Sequence, residues 1–196
     1  MIKELLSATA IVLTFAIFVP YVRSIRQGST KPHVFSWAIW ALSTFVVFLA
    51  QLAGSGGVGA WPIGVSSLIT AYIAALAYSK QSDTAITRSD WVFLLIALAA
   101  LPCWFFTSDP LWAVVILTGL DLAGFGPTFR AAYSRPHDER IGFYSLAALR
   151  NLLSIMALEH YSLTTVLFPA AVGVACAAFV AMVAYRRKQL ARQSPA

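Results

Sequence analysis

"FVPYVRSIR", residues 18–26, closes a long apolar run with a proline, followed three residues later by an arginine. "FGPTFRAAY", residues 125–133, does the same: Phe, one residue, Pro, two residues, Arg. The two stretches lie 107 residues apart, and the ungapped match extends well beyond them. Leu13 falls on Leu120, Phe18 on Phe125, Pro20 on Pro127 and Arg23 on Arg130. Further along, Trp37 falls on Tyr144, Trp61-Pro62 on Phe168-Pro169, Tyr72 on Phe179 and Tyr78 on Tyr185. Alanine matches carry little weight in so apolar a chain, but prolines, an arginine and four aromatic pairs in one register predict an internal repeat.

The composition sets what kind of repeat this is. The 196 residues are 59% hydrophobic and 11% charged, against roughly 25% charged in an average soluble domain. Backbone in contact with lipid must satisfy its own hydrogen bonds, as a helix or a closed barrel. The apolar runs show no alternation and are long enough for helices, which need ~20 residues to span. Seven spans are expected, at roughly 5–22, 33–53, 58–79, 91–107, 111–130, 141–159 and 163–185. The segment after the first, "VPYVRSIRQGSTK", lacks a small-x-small cleavage site and is basic on the wrong side for a signal peptide, so that span is read as retained. One membrane domain, 1–196, is expected, with no room for a soluble one.

Charge gives the orientation. Seven spans put loops 1–2, 3–4, 5–6 and the C-terminal tail on one side. That side carries Arg23, Arg26, Lys31, Lys80, Arg88, Arg130, Arg135, Arg140, Arg186, Arg187, Lys188 and Arg192, and the other only Lys3. By the positive-inside bias the N-terminus is expected outside and the C-terminus in the cytoplasm, in a cell or plasma membrane. The net charge of +6 is then topology and attraction to anionic lipid rather than nucleic-acid binding.

Repeat 1 (1–80) and repeat 2 (111–187) both start outside, because one extra helix, 90–108, lies between them; a basic tail, 188–196, follows. They are expected to be parallel three-helix repeats related by an axis along the membrane normal, one of the known transporter plans. A three-plus-one-plus-three arrangement, with a proline near the cytoplasmic ends of helices 1 and 5, resembles the SWEET sugar transporters and their PQ-loop relatives. The nicotinamide-riboside-type vitamin transporters share the seven-helix plan. The family's Pro-Gln pair stands here as Pro20-Tyr21 and Pro127-Thr128, without the glutamine in either repeat. The resemblance therefore implies a fold and a way of moving, and no particular cargo.

Candidate site residues follow from depth and symmetry. Asp121 and Arg150 each lie about ten residues into a span, ~15 Å along the axis, and an ionisable group at the bilayer midplane marks a functional site by default. They are expected to line the pathway or to form a pair between helices 5 and 6, either functional or structural. The matching positions in repeat 1 are Thr14 and Ser43. Trp37, Trp40 and Thr44 share one face of helix 2, with Tyr144 and Asn151 the counterparts of Trp37 and Thr44 in helix 6. Aromatic faces and directed amides or hydroxyls suit a sugar or heterocyclic ring, although belt and packing roles explain them equally well. Pro20 and Pro127 are read as a gate or hinge, or else as helix terminators.

No nucleophile stands beside a base, and no glycine-rich loop precedes a helix with a lysine, so no enzyme activity is expected. Cys103 and Cys176 lie inside spans, and His33, His137 and His160 are dispersed, which leaves no metal or disulfide framework. No cofactor is expected. The expected function is a membrane transporter, facilitated or proton-coupled, for a small polar solute such as a sugar or vitamin. A non-transporting receptor or scaffold on the same fold is the alternative. The expected partners are the solute and the lipid bilayer, with no nucleic acid; a homo-oligomer is left open.

Overall fold

The computed structural model describes residues 1–80, 86–139 and 141–193, with the side chains of Pro127 and Gln193 excepted. Among these residues there are seven α-helices and no strand: α1 (Ile2–Arg26), α2 (Val34–Ala53), α3 (Trp61–Ser79), α4 (Arg88–Thr107), α5 (Pro110–Ser134), α6 (Ile141–Ala157) and α7 (Leu163–Gln193). A 3-10 turn, Gly57–Ala60, runs directly into α3. Six of the helices are long and apolar enough to cross a membrane, while α6 is apolar but has 17 residues. At 1.5 Å per residue α6 measures about 25 Å, slightly under a ~30 Å hydrocarbon core. The chain is an all-helical, multi-pass membrane protein.

Local signals fix where helices begin. His33 caps α2, its Nδ1 accepting from the Ser36 N–H at 3.4 Å. Thr87 and Asp90 form a reciprocal capping box at the start of α4. Asp109 caps α5, accepting the Leu111 N–H at 2.9 Å, with Pro110 in the first turn.

The ends differ from expectation at Pro20. The proline does not terminate α1, which runs on for more than a turn to Arg26. A proline removes one intrahelical donor, and a helix in lipid keeps the rest because nothing else can satisfy them. The chain leaves α1 at Gly28, whose φ of +76° suits only glycine without strain, and whose N–H donates to the Ile25 carbonyl at 3.0 Å. Position 127 likewise lies inside α5, seven residues before its last, while the Pro127 side chain lies outside the described set. Arg140 and part of the tail, residues 194–196, also lie outside the described residues.

Packing follows a regular scheme. α3 packs against both α1 and α2, and α7 packs against both α5 and α6. Between these two groups the contacts run α1 with α6 and α2 with α5. α4 lies on α5 and α2 through the fully buried Ala97 and Ala100, while Trp91, Leu95, Phe105 and Phe106 stand exposed on it, as lipid-facing residues would. The main apolar core joins α2 and α5 through Val46, Val47, Val114 and Leu117. A smaller one packs Ala132, Phe179 and Val183 near the far end of α5 and α7.

Hydrogen bonds between the α1–α3 and α5–α7 groups gather at the end holding the N-terminus. Lys3 Nζ donates to the Leu158 carbonyl (2.7 Å), Gln51 Nε2 to the Thr165 carbonyl (2.7 Å) and the Glu159 N–H to the Gly56 carbonyl (3.1 Å). Gly59 comes so near the other group that a Cβ there would lie 2.5 Å from the Leu158 nitrogen. At the opposite, arginine-rich end the hydrogen bonds among the described residues stay within each group. Arg26 donates to the Tyr72 hydroxyl, Arg186 to the Tyr133 carbonyl (3.3 Å), and Arg187 to the Pro136 and Glu139 carbonyls (3.0 and 2.7 Å).

Candidate functional site

Asp121 sits half-buried on α5, with no hydrogen bond or ion pair among the described residues. Arg150, on α6, is close enough to interact with it electrostatically, but the pair does not come within the 4.0 Å of a salt bridge. The expected direct pair between helices 5 and 6 is therefore absent. Its cause is the helix order: α7 packs against both, and α5 and α6 barely touch. Arg150 Nη1 instead donates to the Asn151 Oδ1 at 3.0 Å, and Asn151 Nδ2 to the Ala147 carbonyl at 2.9 Å. Asn151 is 1% exposed and packs against Gly173, where a Cβ would lie 3.2 Å from its own.

The aromatic residues on α2 are brought together, though not as an open platform. Trp37 and Trp40 meet edge to face, centroids 5.3 Å apart. The other contacts of Trp37 are with α1: Tyr21 stacks on it at 5.1 Å and Phe18 meets it at 6.3 Å. Thr44 turns its hydroxyl back to the Trp40 carbonyl at 2.7 Å. In α6, Tyr144 lies on Phe179 of α7, centroids 4.0 Å apart. Pro20, exposed on α1, lies one residue from the Tyr21 that covers Trp37.

A cavity of about 170 Å³ opens where α2, α4 and α5 meet, at the arginine-rich end. It is lined by Ser36, Ile39, Trp40, Ser89, Asp90, Phe93 and Gly124. Asp121 stands three residues before Gly124, one turn deeper on the same helix face.

Among the described residues three buried polar atoms are left without a partner, Ser43 Oγ, Thr118 Oγ1 and Gln51 Oε1; sequence reasoning noted Ser43 as the counterpart of Arg150 and did not single out Thr118 or Gln51. Ser43 and Thr118 lie on α2 and α5, which pack against each other. Such orphans are rare in folded proteins, where a water, an ion or a bound solute commonly completes them. An amide or hydroxyl inside an apolar run, as in "VILTGLD", is the signal that could have found them. Asp90 also escaped notice, and only the "TRSD" capping pattern at residues 87–90 marks it in the sequence. Among the described residues no cluster of three or more His, Cys, Asp or Glu could hold a metal.

The arrangement defines a helical membrane protein with polar groups between two groups of helices. Comparison with known proteins adds no relative: no family model, curated protein or solved structure matches the chain.

Proposed function

We propose that the protein is a membrane transporter for a small polar solute, built as two parallel three-helix repeats joined by α4, on the plan of the SWEET-like carriers. One observation carries this reading. Shifting by 107 residues exchanges α1–α3 with α5–α7, and the packing scheme survives the exchange: α3 between α1 and α2 becomes α7 between α5 and α6, and the α1–α6 contact becomes α5–α2. Two bundles related by an axis along the membrane normal would give this exchange, and that plan puts the substrate site near the midplane between them. At the arginine-rich end each group has a cation–aromatic contact between its first and third helices, without residue-for-residue correspondence: Arg26 on α1 faces Tyr72 on α3 (5.9 Å to the ring centroid) and Tyr133 on α5 faces Arg186 on α7 (4.1 Å).

In this reading the N-terminus faces out, and Asp121, Arg150, Asn151, Ser43 and Thr118 serve the solute near the midplane. Among the described residues the bundles are hydrogen-bonded to each other at the outer end, which suits a conformation closed outside and ready to part on the cytoplasmic side. Trp37 belongs to the wall that Tyr21 and Phe18 complete, and Pro20 lies beside that wall as a gate element.

The test is uptake by purified protein in proteoliposomes, loaded from a pooled mixture of sugars, vitamins, amino acids and organic ions and read by mass spectrometry. Saturable accumulation of one solute class is expected, lost in Asp121→Asn or Arg150→Gln. Wild-type vesicles retaining no solute above empty ones would overturn the reading.

A further inference from the structure

The cavity between α2, α4 and α5 has a composition that the transport reading does not use. Its single charged lining residue is Asp90, with a side chain only 17% exposed. No lysine or arginine lines it among the described residues. Asp90 Oδ2 accepts from the Thr87 N–H and hydroxyl, both at 2.7 Å, and lies 3.9 Å from His33 Nε2. Oδ1 takes no hydrogen bond among the described residues. The two hydroxyls beside it are already engaged, Ser36 with His33 Nδ1 and Ser89 with the Thr87 hydroxyl, each at 2.8 Å. The rest of the wall is Trp40, Phe93, Ile39 and the bare backbone of Gly124. A Cβ added at Gly124 meets nothing within 4 Å, so this glycine leaves space rather than allowing close helix packing.

A carboxylate with one oxygen unbonded among the described residues, two aromatic side chains and no lysine or arginine among the described lining residues favour one ligand chemistry. An organic ammonium ion gains from the carboxylate and from the ring faces together. An anion would find no lysine or arginine among the described lining residues, and a neutral solute would gain nothing from the charge of Asp90. The cavity is small, below the roughly 300 Å³ at which drug-sized sites begin, which limits the ligand to a few heavy atoms. We infer that this cavity is a binding site for a small organic amine or quaternary ammonium ion, with Asp90 as its counter-ion and Trp40 and Phe93 as its aromatic walls. Asp121, one turn deeper on α5, continues the acidic path toward the midplane. The site itself stands on the cavity and its lining, and it rests on the transport reading only in being the entrance for the carried solute.

The probe is choline, set against its uncharged isostere 3,3-dimethylbutan-1-ol, titrated calorimetrically into the purified full chain in detergent. Choline is expected to bind and the alcohol not. Asp90→Asn, which keeps an acceptor for the Thr87 cap, is expected to weaken choline about tenfold or more, the equivalent of losing one ion contact. Gly124→Leu fills the space beside α5 and is expected to abolish binding, with gel filtration and melting temperature unchanged. Because Asp90 also caps α4, Gly124→Leu keeps the inference testable should Asp90→Asn fail to fold. Equal binding of alcohol and choline, or choline affinity unchanged in a folded variant, would overturn it. So would the absence of heat at about 10 mM choline, a concentration that detects even weak sites. Uptake of other solutes without choline binding removes this site and leaves the transport reading standing. Choline binding without uptake of any solute removes the transport reading and leaves the site.

Discussion

At Asp121 a carboxylate sits half-buried in a membrane helix with no hydrogen bond or ion pair among the described residues. A structural carboxylate is normally paired, because an unpaired one deep in the protein costs several kcal/mol. Asp121→Asn removes the charge and no hydrogen bond, so its melting temperature is expected to equal or exceed that of the wild type, measured by thermal unfolding in detergent. A fall of several degrees would instead make Asp121 a structural anchor. The sequence made the depth of Asp121 and Arg150 legible, because counting from the span ends places both near the middle. It did not carry their separation, which is set by α7 and by no local feature of "LTGLDLAG" or "LAALRNLL". For Trp37 the spacing rightly put Trp40 beside it. That Tyr21 and Phe18 would cover its ring depended on how α1 lies against α2, which periodicity within α2 does not encode.

For the helices, hydrophobic length was enough to place all seven, and their ends were legible wherever a cap announced them. Asp109-Pro110 and the Thr87–Asp90 box are of that kind. The reading of Pro20 as a terminator missed that the stop lies at "RQGST", where Gly28 takes up positive φ. Such a glycine just past the last helical residue is the stronger stop signal, and a proline in lipid is the weaker one. The elements also predict a conformational constraint. With the two groups bonded at Gly56–Glu159 and Gln51–Thr165, a short thiol cross-linker across Val58→Cys and Glu159→Cys should react readily in the conformation described. Under the transport reading it should abolish uptake while leaving solute binding from the opposite side intact. Uptake that continues in the fully cross-linked protein would mean that this end never opens.

Apart from Lys3 and the mid-helix Arg150, the arginines and lysines of the described residues gather at one end of the molecule, and this asymmetry predicts a topology that labelling can read. With Cys103 and Cys176 replaced by alanine, an impermeant maleimide applied to intact cells should label His160→Cys and leave Ser29→Cys unlabelled until the cells are permeabilised. The reverse pattern would invert the orientation proposed above. The packing scheme has a further consequence for how the chain is made. α1 leans on α3 and on α6, and Lys3 is tied to a carbonyl 155 residues away. A nascent chain leaves the ribosome N-terminus first, so α1 meets the bilayer well before α6 and Leu158 exist and waits, one flank bare, until they are made. Its unfilled side is where an insertion chaperone would have something to hold.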